Sequence, residues 1–581
     1  MKNVKAKPAP PAKKRTGAPK PGGQRLWPWI LAVVIAAFVV FEVYGPALHG
    51  PFLLDDTYLP FMLPGYVHAP LRSWIGAIRP VLMFSFWLNF KASGTDPFPY
   101  HLVNLILHLL NGGLVFLIVR RVLGWTGIEN GRNNVLSAFA AGLFLLHPLQ
   151  TESVAYVASR SETLSVFFIY AAFAVFVYRR PVAISWRFAV PVLLLFGTAA
   201  LTKEHAAALI GVFLLTDYFW NPAWSLEGIK RNWRLYVPIA IMGAAGLAFV
   251  LKVLSTARTA GFAFKGFTWY QYFFTECRAF WGYLLLFIAP FNQNIDHTFP
   301  VSRSLLDHGA IFALIALLAV IAVAWVWRRR FPLASYGLFA FLILLAPTSS
   351  FIPIADPFVE RRMYLPFIGL LFIVLEIARR ARARTNALVA SLGALLLIEG
   401  MLSYQRNLLY ASPIAIWRDS VSKSPSKLRP RYQLARAYYD AGQCSDAAAT
   451  FEQASKLAKP TDDLLIDWAL VYHDCTNEPG KAIEKLREAA AISNTAHAHA
   501  EMGMVYGGEG QYGQSLDELN TAEKLDPHFI WTYIYRGSDY ASQKKWAEAA
   551  REYEHALTID AYNQTARTEL AQVRAQMRSG Q

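Results

Sequence analysis

Charge is scarce in this chain: 17% of its 581 residues are Asp, Glu, Lys or Arg, against 55% apolar residues. So few charges cannot cover a soluble protein of this size, and the apolar residues arrive in runs long enough to cross hydrocarbon. Cysteine is scarcer still, at three. That number excludes a disulfide-dense secreted scaffold, and the spacing excludes a cysteine metal site. Acidic residues are missing altogether from the first 25 positions, which hold eight Lys or Arg among many Pro and Gly. Such a segment cannot bury enough apolar surface to fold, and 1–25 reads as a disordered basic cytoplasmic tail. The net charge of +16 does not imply a nucleic-acid partner: residues 430–581 carry 15 basic against 22 acidic side chains, so the excess sits in the apolar part. There it marks cytoplasmic loops.

Apolar segments fall near 27–44, 101–119, 135–151, 162–178, 187–202, 205–220, 234–252, 309–327, 333–351, 363–378 and 386–403. They predict about eleven crossings within a membrane domain spanning 26–404. The first resembles an uncleaved signal anchor with Trp27 and Trp29 at the interface. Basic clusters at Arg120-Arg121, Arg179-Arg180, Lys230-Arg231, Arg328 to Arg330 and Arg379 to Arg384 follow alternate spans, which places all five in the cytoplasm. That arrangement requires 270–289, apolar as it is, to be a re-entrant or interfacial helix. The N-terminus is then cytoplasmic, and an odd number of crossings puts the C-terminal region on the opposite side.

On that same outer side emerge the remaining ionisable clusters: Asp55-Asp56, HPLQTESVAYVASR at 147–160, TKEH at 202–205, NQNIDH at 292–297 and VERRMYLP at 359–366. Acids and bases converging at one membrane face imply an active site there. In the second span His101, Asn104, His108 and Asn111 share one helix face, which must look into the bundle. Interhelical hydrogen bonding and substrate contact both fit that stripe. His101 and His108 lie roughly 10 Å apart along the axis, too far to share a metal.

After a connector over 405–429, a 34-residue period begins. Leu434-Ala435…Tyr438, Trp468-Ala469…Tyr472, Met502-Gly503…Tyr506 and Arg536-Gly537…Tyr540 recur in register. The second helices repeat Ala447, Phe451 and Ala454 as Ser515, Leu519, Ala522 and as Ala549, Tyr553, Ala556; the second repeat is offset by one residue, at Ala482, Leu486 and Ala489. This resembles the tetratricopeptide repeat, four units and a capping helix over 430–581. By that repeat's usual geometry Tyr432, Arg436, Tyr439, His473, His497 and Trp531 project along the concave face, either as acceptor-peptide contacts or as packing between repeats. Cys444 and Cys475 lie in neighbouring units, where an oxidising compartment would allow them to pair.

The order of RPVLMFSFWLN at 79–89, YHLVNLILHLLNG at 100–112, HPLQTESVAYVASRSETL at 147–164, Lys203-Glu204, ERRMYLP at 360–366 and Arg406-Asn407 leading into repeats resembles the transmembrane and tetratricopeptide-repeat-containing O-mannosyltransferases. The resemblance covers nearly the whole chain. It implies an all-α, polytopic GT-C-type transmembrane helix bundle followed by an α-solenoid. It further implies an inverting enzyme that moves a sugar, mannose by the family's name, from a polyprenyl-phosphate donor to Ser or Thr of acceptor proteins at the periplasmic or luminal face. The Ala- and Arg-rich composition points to a bacterial inner membrane. By position in the motif Asp55 is the general base, and Asp56 holds the loop, the acceptor or a metal. Arg160, Lys203 and Arg361, in that order, with Arg79 and His147 behind them, are the cations for the leaving phosphate. Glu152, Glu204, Asp296 and Glu360 orient those cations or the sugar hydroxyls. The reaction demands no metal and no cofactor beyond the lipid-linked sugar, although paired carboxylates suit a divalent ion. Transfer to a lipid or surface glycan, a non-enzymatic membrane scaffold and a transporter are the competing readings. Eleven spans exceed what an anchor needs, and ionisable groups are few at mid-span.

Overall fold

The computed structural model describes residues 27–579 apart from 68, 77, 180–182, 257–260, 262–263 and 383. The tail expected over 1–25, and Arg180, lie outside the described residues. Every element among the described residues is helical. A helix stands at each of the eleven apolar segments, from Trp27–Leu48 to Thr385–Tyr410. Among the described residues five helices are, by length and composition, long and apolar enough to cross a membrane: Trp27–Leu48, Pro97–Gly124, Val157–Val177, Asp307–Val326 and Thr385–Tyr410. Trp186–Ala200 and Pro332–Leu345 are apolar but shorter. Close crossings need small residues: a Cβ added to Gly369 would stand 2.6 Å from Gly337 O, so Pro332–Leu345 and Phe367–Arg380 pack backbone to backbone.

Helix Trp269–Ile288 packs against Pro332–Leu345 through Phe280 and Phe341, and near both of its own ends it bonds to the ends of neighbouring helices. Near its start Tyr272 Oη donates to Thr348 O (2.6 Å), just past Pro332–Leu345; near its finish Phe287 O accepts from His147 Nε2 (2.9 Å), at the end of Asn130–Leu146. Trp281 Nε1 meanwhile donates to Ala313 O (3.0 Å) in the first turn of Ala310–Val326. Arg179 pairs with the buried Asp217, which also accepts from Asn232 Nδ2 (2.6 Å) and Tyr236 Oη (2.7 Å). That basic residue therefore serves a buried staple.

The polar stripe of Pro97–Gly124 is spent on its neighbours. His101 bonds to Gly50 O (3.1 Å), His108 to Tyr364 Oη (2.9 Å) and Leu145 O (3.1 Å), and Asn111 donates to Thr163 O (2.9 Å) and Tyr364 Oη (3.0 Å).

Thr385–Tyr410 runs directly into helix Pro413–Lys423, whose N-cap Ser412 accepts from Ala415 N. Four helix pairs follow, Leu428–Asp440 with Cys444–Ser455 through Ile530–Ser542 with Trp546–Ile559, and then Gln564–Ser579. The one-residue offset of the second pair is absorbed by a π-helical turn, Val471–Cys475, the turn that accommodates an extra residue without breaking a helix. Leu53, Ala155 and Tyr156 of the loops share one apolar core with Tyr410, Ile416 and Trp417 of the connector and with the first three repeats. Gly50 approaches Tyr410 so closely that a Cβ there would lie 2.4 Å from its carbonyl oxygen. The connector thus rests on the loop that carries Asp55.

Cys444 and Cys475 are joined, 5.5 Å apart at Cα, and fasten the first repeat to the π turn of the second. Closing a loop over this separation of 31 residues limits the unfolded chain by ~3–4 kcal/mol. Replacing both cysteines by Ala should lower the thermal midpoint of the repeats, and wild-type protein should take up maleimide at these positions only after reduction. An unchanged midpoint would show that the link carries no stability.

Candidate active site

Asp55 and Asp56 share a short turn, Leu54–Tyr58, yet meet opposite surroundings. Leu54, just before them, has φ of 47°, a left-handed conformation that a leucine keeps only where the surrounding structure imposes it. What imposes it is Asp56. This side chain is 1% exposed; its Oδ2 accepts from Leu53 N (2.9 Å) and its Oδ1 from Ala158 N (2.6 Å). Burial pushes its carboxyl up to about 7 against those backbone donors, with the charge of Asp55 adding to the rise. Asp55 faces solvent, and its backbone N–H donates to Tyr156 Oη (2.9 Å). One acid is buried and holds the turn, and its neighbour is exposed.

Beneath the turn lies Arg160, 0% exposed. Its guanidinium donates to Asn104 Oδ1 (3.0 Å), Asn89 Oδ1 (2.8 Å) and Tyr100 O (2.9 Å), and stacks on Phe86 at 4.5 Å. Asn104 in turn donates to Val154 O and Tyr156 O, both at 3.3 Å. A chain of hydrogen bonds therefore runs from Arg160 through Asn104 to Tyr156 and the amide of Asp55. Walled in on all sides, Arg160 acts on the site through Tyr156; sequence reasoning put it first among phosphate ligands because nothing local reveals burial.

Three other cations stand nearer the surface, each beside a glutamate. Arg361, 26% exposed, donates to Glu152 Oε1 (2.5 Å), while its own amide donates to Glu152 Oε2 (3.0 Å). Its guanidinium also lies 5.6 Å from the Tyr156 ring. Burial opposes its charge, but Glu152, Tyr156 and Asp55 outweigh burial and hold it protonated. Arg79 grips Glu204 through both carboxylate oxygens, at 3.0 and 2.9 Å, on the outer surface. Lys203 pairs with Glu162, whose other oxygen faces His205 Nδ1 at 3.4 Å. Burial lowers Lys203, the charge of Glu162 opposes that, and the fields of Arg79 and Arg361 reach it and lower it further. Glu162 was missed in the sequence; it sits inside the SRSETL stretch, two residues after Arg160, and no spacing rule distinguishes it.

Other expected residues brace the loops. His147 Nδ1 accepts from Leu149 N (3.2 Å), which leaves Nε2 as the N–H that donates to Phe287 O: a neutral ring, buried, and not a phosphate cation. Glu360, 1% exposed, accepts from Asn294 N (2.6 Å), Gln293 Nε2 (2.8 Å) and His297 Nε2 (2.7 Å). Burial raises this carboxyl, but His297 and the other donors win and hold it below the usual range. Asp296 pairs with Lys427 and Arg429 of the connector, and Ser424 Oγ donates to Asp296 O (2.9 Å). The outer loop and the approach to the repeats are thereby stitched together. No group of three or more His, Cys, Asp or Glu among the described residues is placed to hold a metal ion.

In the repeats, Tyr432 Oη donates to Asp467 (2.6 Å), Arg436 lies 3.4 Å from the same carboxylate, and Tyr439 and His473 both bond Asp474. His497 lies 3.6 Å from Glu501, and the Trp531 and Tyr535 rings stack at 5.5 Å. Tyr432, Arg436 and Tyr439 thus reach from the first repeat to acids of the second, whereas the contacts of His473, His497 and Trp531 named here stay within their own repeats.

No family model matches the chain. Its sequence is similar to Protein O-mannosyl-transferase F38B6.6 of Caenorhabditis elegans, 26% identical over 394 residues, 65% of this chain and 53% of that protein. It is also similar to human Protein O-mannosyl-transferase TMTC3, 22% identical over 545 residues, 84% of this chain and 58% of that one. The chain spans about half the length of these curated relatives. Among solved structures YrrB, a TPR protein with an unusual peptide-binding site, covers 26% of this chain and 79% of its own at 20% identity, with a TM-score of 0.23. The curated homologues are thus protein O-mannosyl-transferases, the family that the ordered motifs resemble.

A carboxyl raised by burial favours the folded state when protonated. The contribution of Asp56 should be complete below its unfolded value near 4 and lost as pH rises through about 7. The midpoint of the wild type minus that of Asp56→Asn should therefore fall between pH 5 and 8; a flat difference would place Asp56 in a solvated setting.

Proposed function

We propose that this protein is a membrane glycosyltransferase that moves a sugar, mannose by analogy with its relatives' name, from a polyprenyl-phosphate donor to Ser or Thr of acceptor polypeptides. The transfer takes place at the extracytoplasmic face, the periplasm in a bacterium, and inverts the anomeric centre. The observation that carries this reading is an exposed carboxylate, Asp55, held by its own amide to Tyr156, whose ring also faces Arg361. The joined Cys444 and Cys475 suit the same oxidising side.

In this reaction the acceptor hydroxyl oxygen attacks the anomeric carbon, its proton passes to Asp55, and the sugar–phosphate bond breaks with its electron pair leaving on phosphate oxygen. That phosphate is already a weak base and needs charge more than a proton. Arg361, Lys203 and Arg79 are partly exposed and supply it; Glu152, Glu162 and Glu204 hold them in place until the donor arrives. Arg160 sets the height of Tyr156, and Asp56 fixes the turn, so both are positioning residues. The repeats hold the acceptor chain beside the site and raise its local concentration.

The test is purified wild-type protein and Asp55→Asn incubated with radiolabelled polyprenyl-phosphate sugars and a periplasmic extract. Label should enter protein and fall by about 10²–10⁴-fold in the variant while donor binding persists. Arg361→Gln should weaken donor binding as well as turnover. Label in lipid alone would make the acceptor a lipid glycan; substantial transfer by Asp55→Asn would remove the assignment of the base.

A further inference from the structure

The surface formed by the first helices of the repeats is acidic at its centre and poor in matching cations. Asp474 is 43% exposed and is held by the Tyr439 hydroxyl and by His473 Nδ1 at 2.7 Å. Next to it Glu501, 5% exposed, accepts from Tyr535 Oη at 3.1 Å through Oε1, while its Oε2 is buried with no hydrogen-bond partner. Among the described residues neither acid is paired with a lysine or arginine. Arg436, on the same surface, is engaged with Asp467. Burial pushes Glu501 up to about 7, the Tyr535 hydroxyl draws it down, and Asp474 and Asp467 add to the rise. An acid so placed would be relieved by a cation brought from outside.

Aromatic faces stand where such a cation would lie. Tyr439 and Tyr535 are both partly exposed, each hydrogen-bonded to one of the two acids, and Trp531 stacks on Tyr535. Carboxylate and ring face together suit a lysine or arginine: the acid supplies the charge partner, and the rings accept the cation and the aliphatic stem. The π turn at Val471–Cys475 is what carries His473 and Asp474, an irregularity at the place where the repeat departs from its own period.

We propose that this groove selects extended polypeptide segments bearing a lysine or arginine, whose side chain pairs with Asp474 between the Tyr439 and Tyr535 rings, over the charge of Glu501. The inference rests on the reading of the repeats as the acceptor-holding part of a transferase, and it assigns to that part a preference for basic segments over neutral or acidic ones.

The test uses the full-length protein in detergent and three fluorescein-labelled peptides of alternating Gly, Ser and Thr with a central arginine, citrulline or glutamate. Fluorescence anisotropy should give the arginine peptide about tenfold tighter binding than the citrulline peptide, and the glutamate peptide weaker still. The advantage of arginine should shrink as salt is raised and should fall to within about twofold in Asp474→Asn. Glu501→Gln, if it keeps the wild-type thermal midpoint, should reduce it as well. Equal affinities for the three peptides in the wild type, or a preference that survives in folded Asp474→Asn at every salt concentration, would overturn the proposal. The same samples carried into the sugar-transfer assay separate the two ideas. Transfer to protein without any charge preference in binding removes this inference alone; an arginine preference that obeys the variants, with no transfer from any donor, supports it and removes the transferase reading.

Discussion

A buried guanidinium that hydrogen-bonds no carboxylate is stable only if oriented neutral acceptors surround it, and among the described residues Arg160 meets that condition with Asn104, Asn89 and the Tyr100 carbonyl. The arrangement is costly to assemble and therefore admits little variation. Two consecutive helices, Pro80–Ser93 and the first turns of Pro97–Gly124, and the distant stretch Val154–Ser159 must all be in place at once. Because Asn104 spends its amide on Val154 O and Tyr156 O, the same network sets the tyrosine that receives the Asp55 amide. The position of Asp55, the base in the proposed reaction, is thus inherited from a buried charge on the far side of the loop.

Two levels of ion pairing surround that network, and burial separates their roles. Asp296 with Lys427 and Arg429, and Glu360 with His297, tie the outer loops to the connector and to each other. They fix where the repeats begin relative to Asp55. Arg361, Lys203 and Arg79 keep part of their surface open, and each has a single glutamate partner that an anionic ligand could replace. Glu152 and Glu162 are themselves buried, so an anion entering beside Arg361 or Lys203 must take over as their charge partner and not merely displace them.

Much of this was legible in the sequence because it is carried by periodicity. Apolar runs located a helix at each expected segment, and the 34-residue period located the helix pairs, including the offset that becomes the π turn. The stripe of His101, Asn104, His108 and Asn111 was visible as a buried face, although whether it met substrate or neighbouring helices was not. The helix at 270–289 was legible as apolar, and its composition alone resembles a span. What sequence could not supply was depth. Arg160, Arg361 and Lys203 look alike as letters, yet one is sealed among neutral acceptors while two keep an open edge. Nor could it supply partners more than a hundred residues away. Asp296 reads as a site acid until Lys427 and Arg429 are found beside it, and Glu162 reads as a helix residue until Lys203 is.

The central claim is spatial: the lipid-linked phosphate binds among Arg361, Lys203 and Arg79 with its sugar toward Asp55. An electron cryomicroscopy map of the protein with a polyprenyl-phosphate sugar, reconstituted in a lipid nanodisc, tests it most directly. Phosphate density within hydrogen-bond reach of Arg361 and Lys203, with the anomeric carbon facing the Asp55 carboxylate, is the predicted result. Phosphate density at the opposite end of the bundle, or against the repeats, would contradict the account.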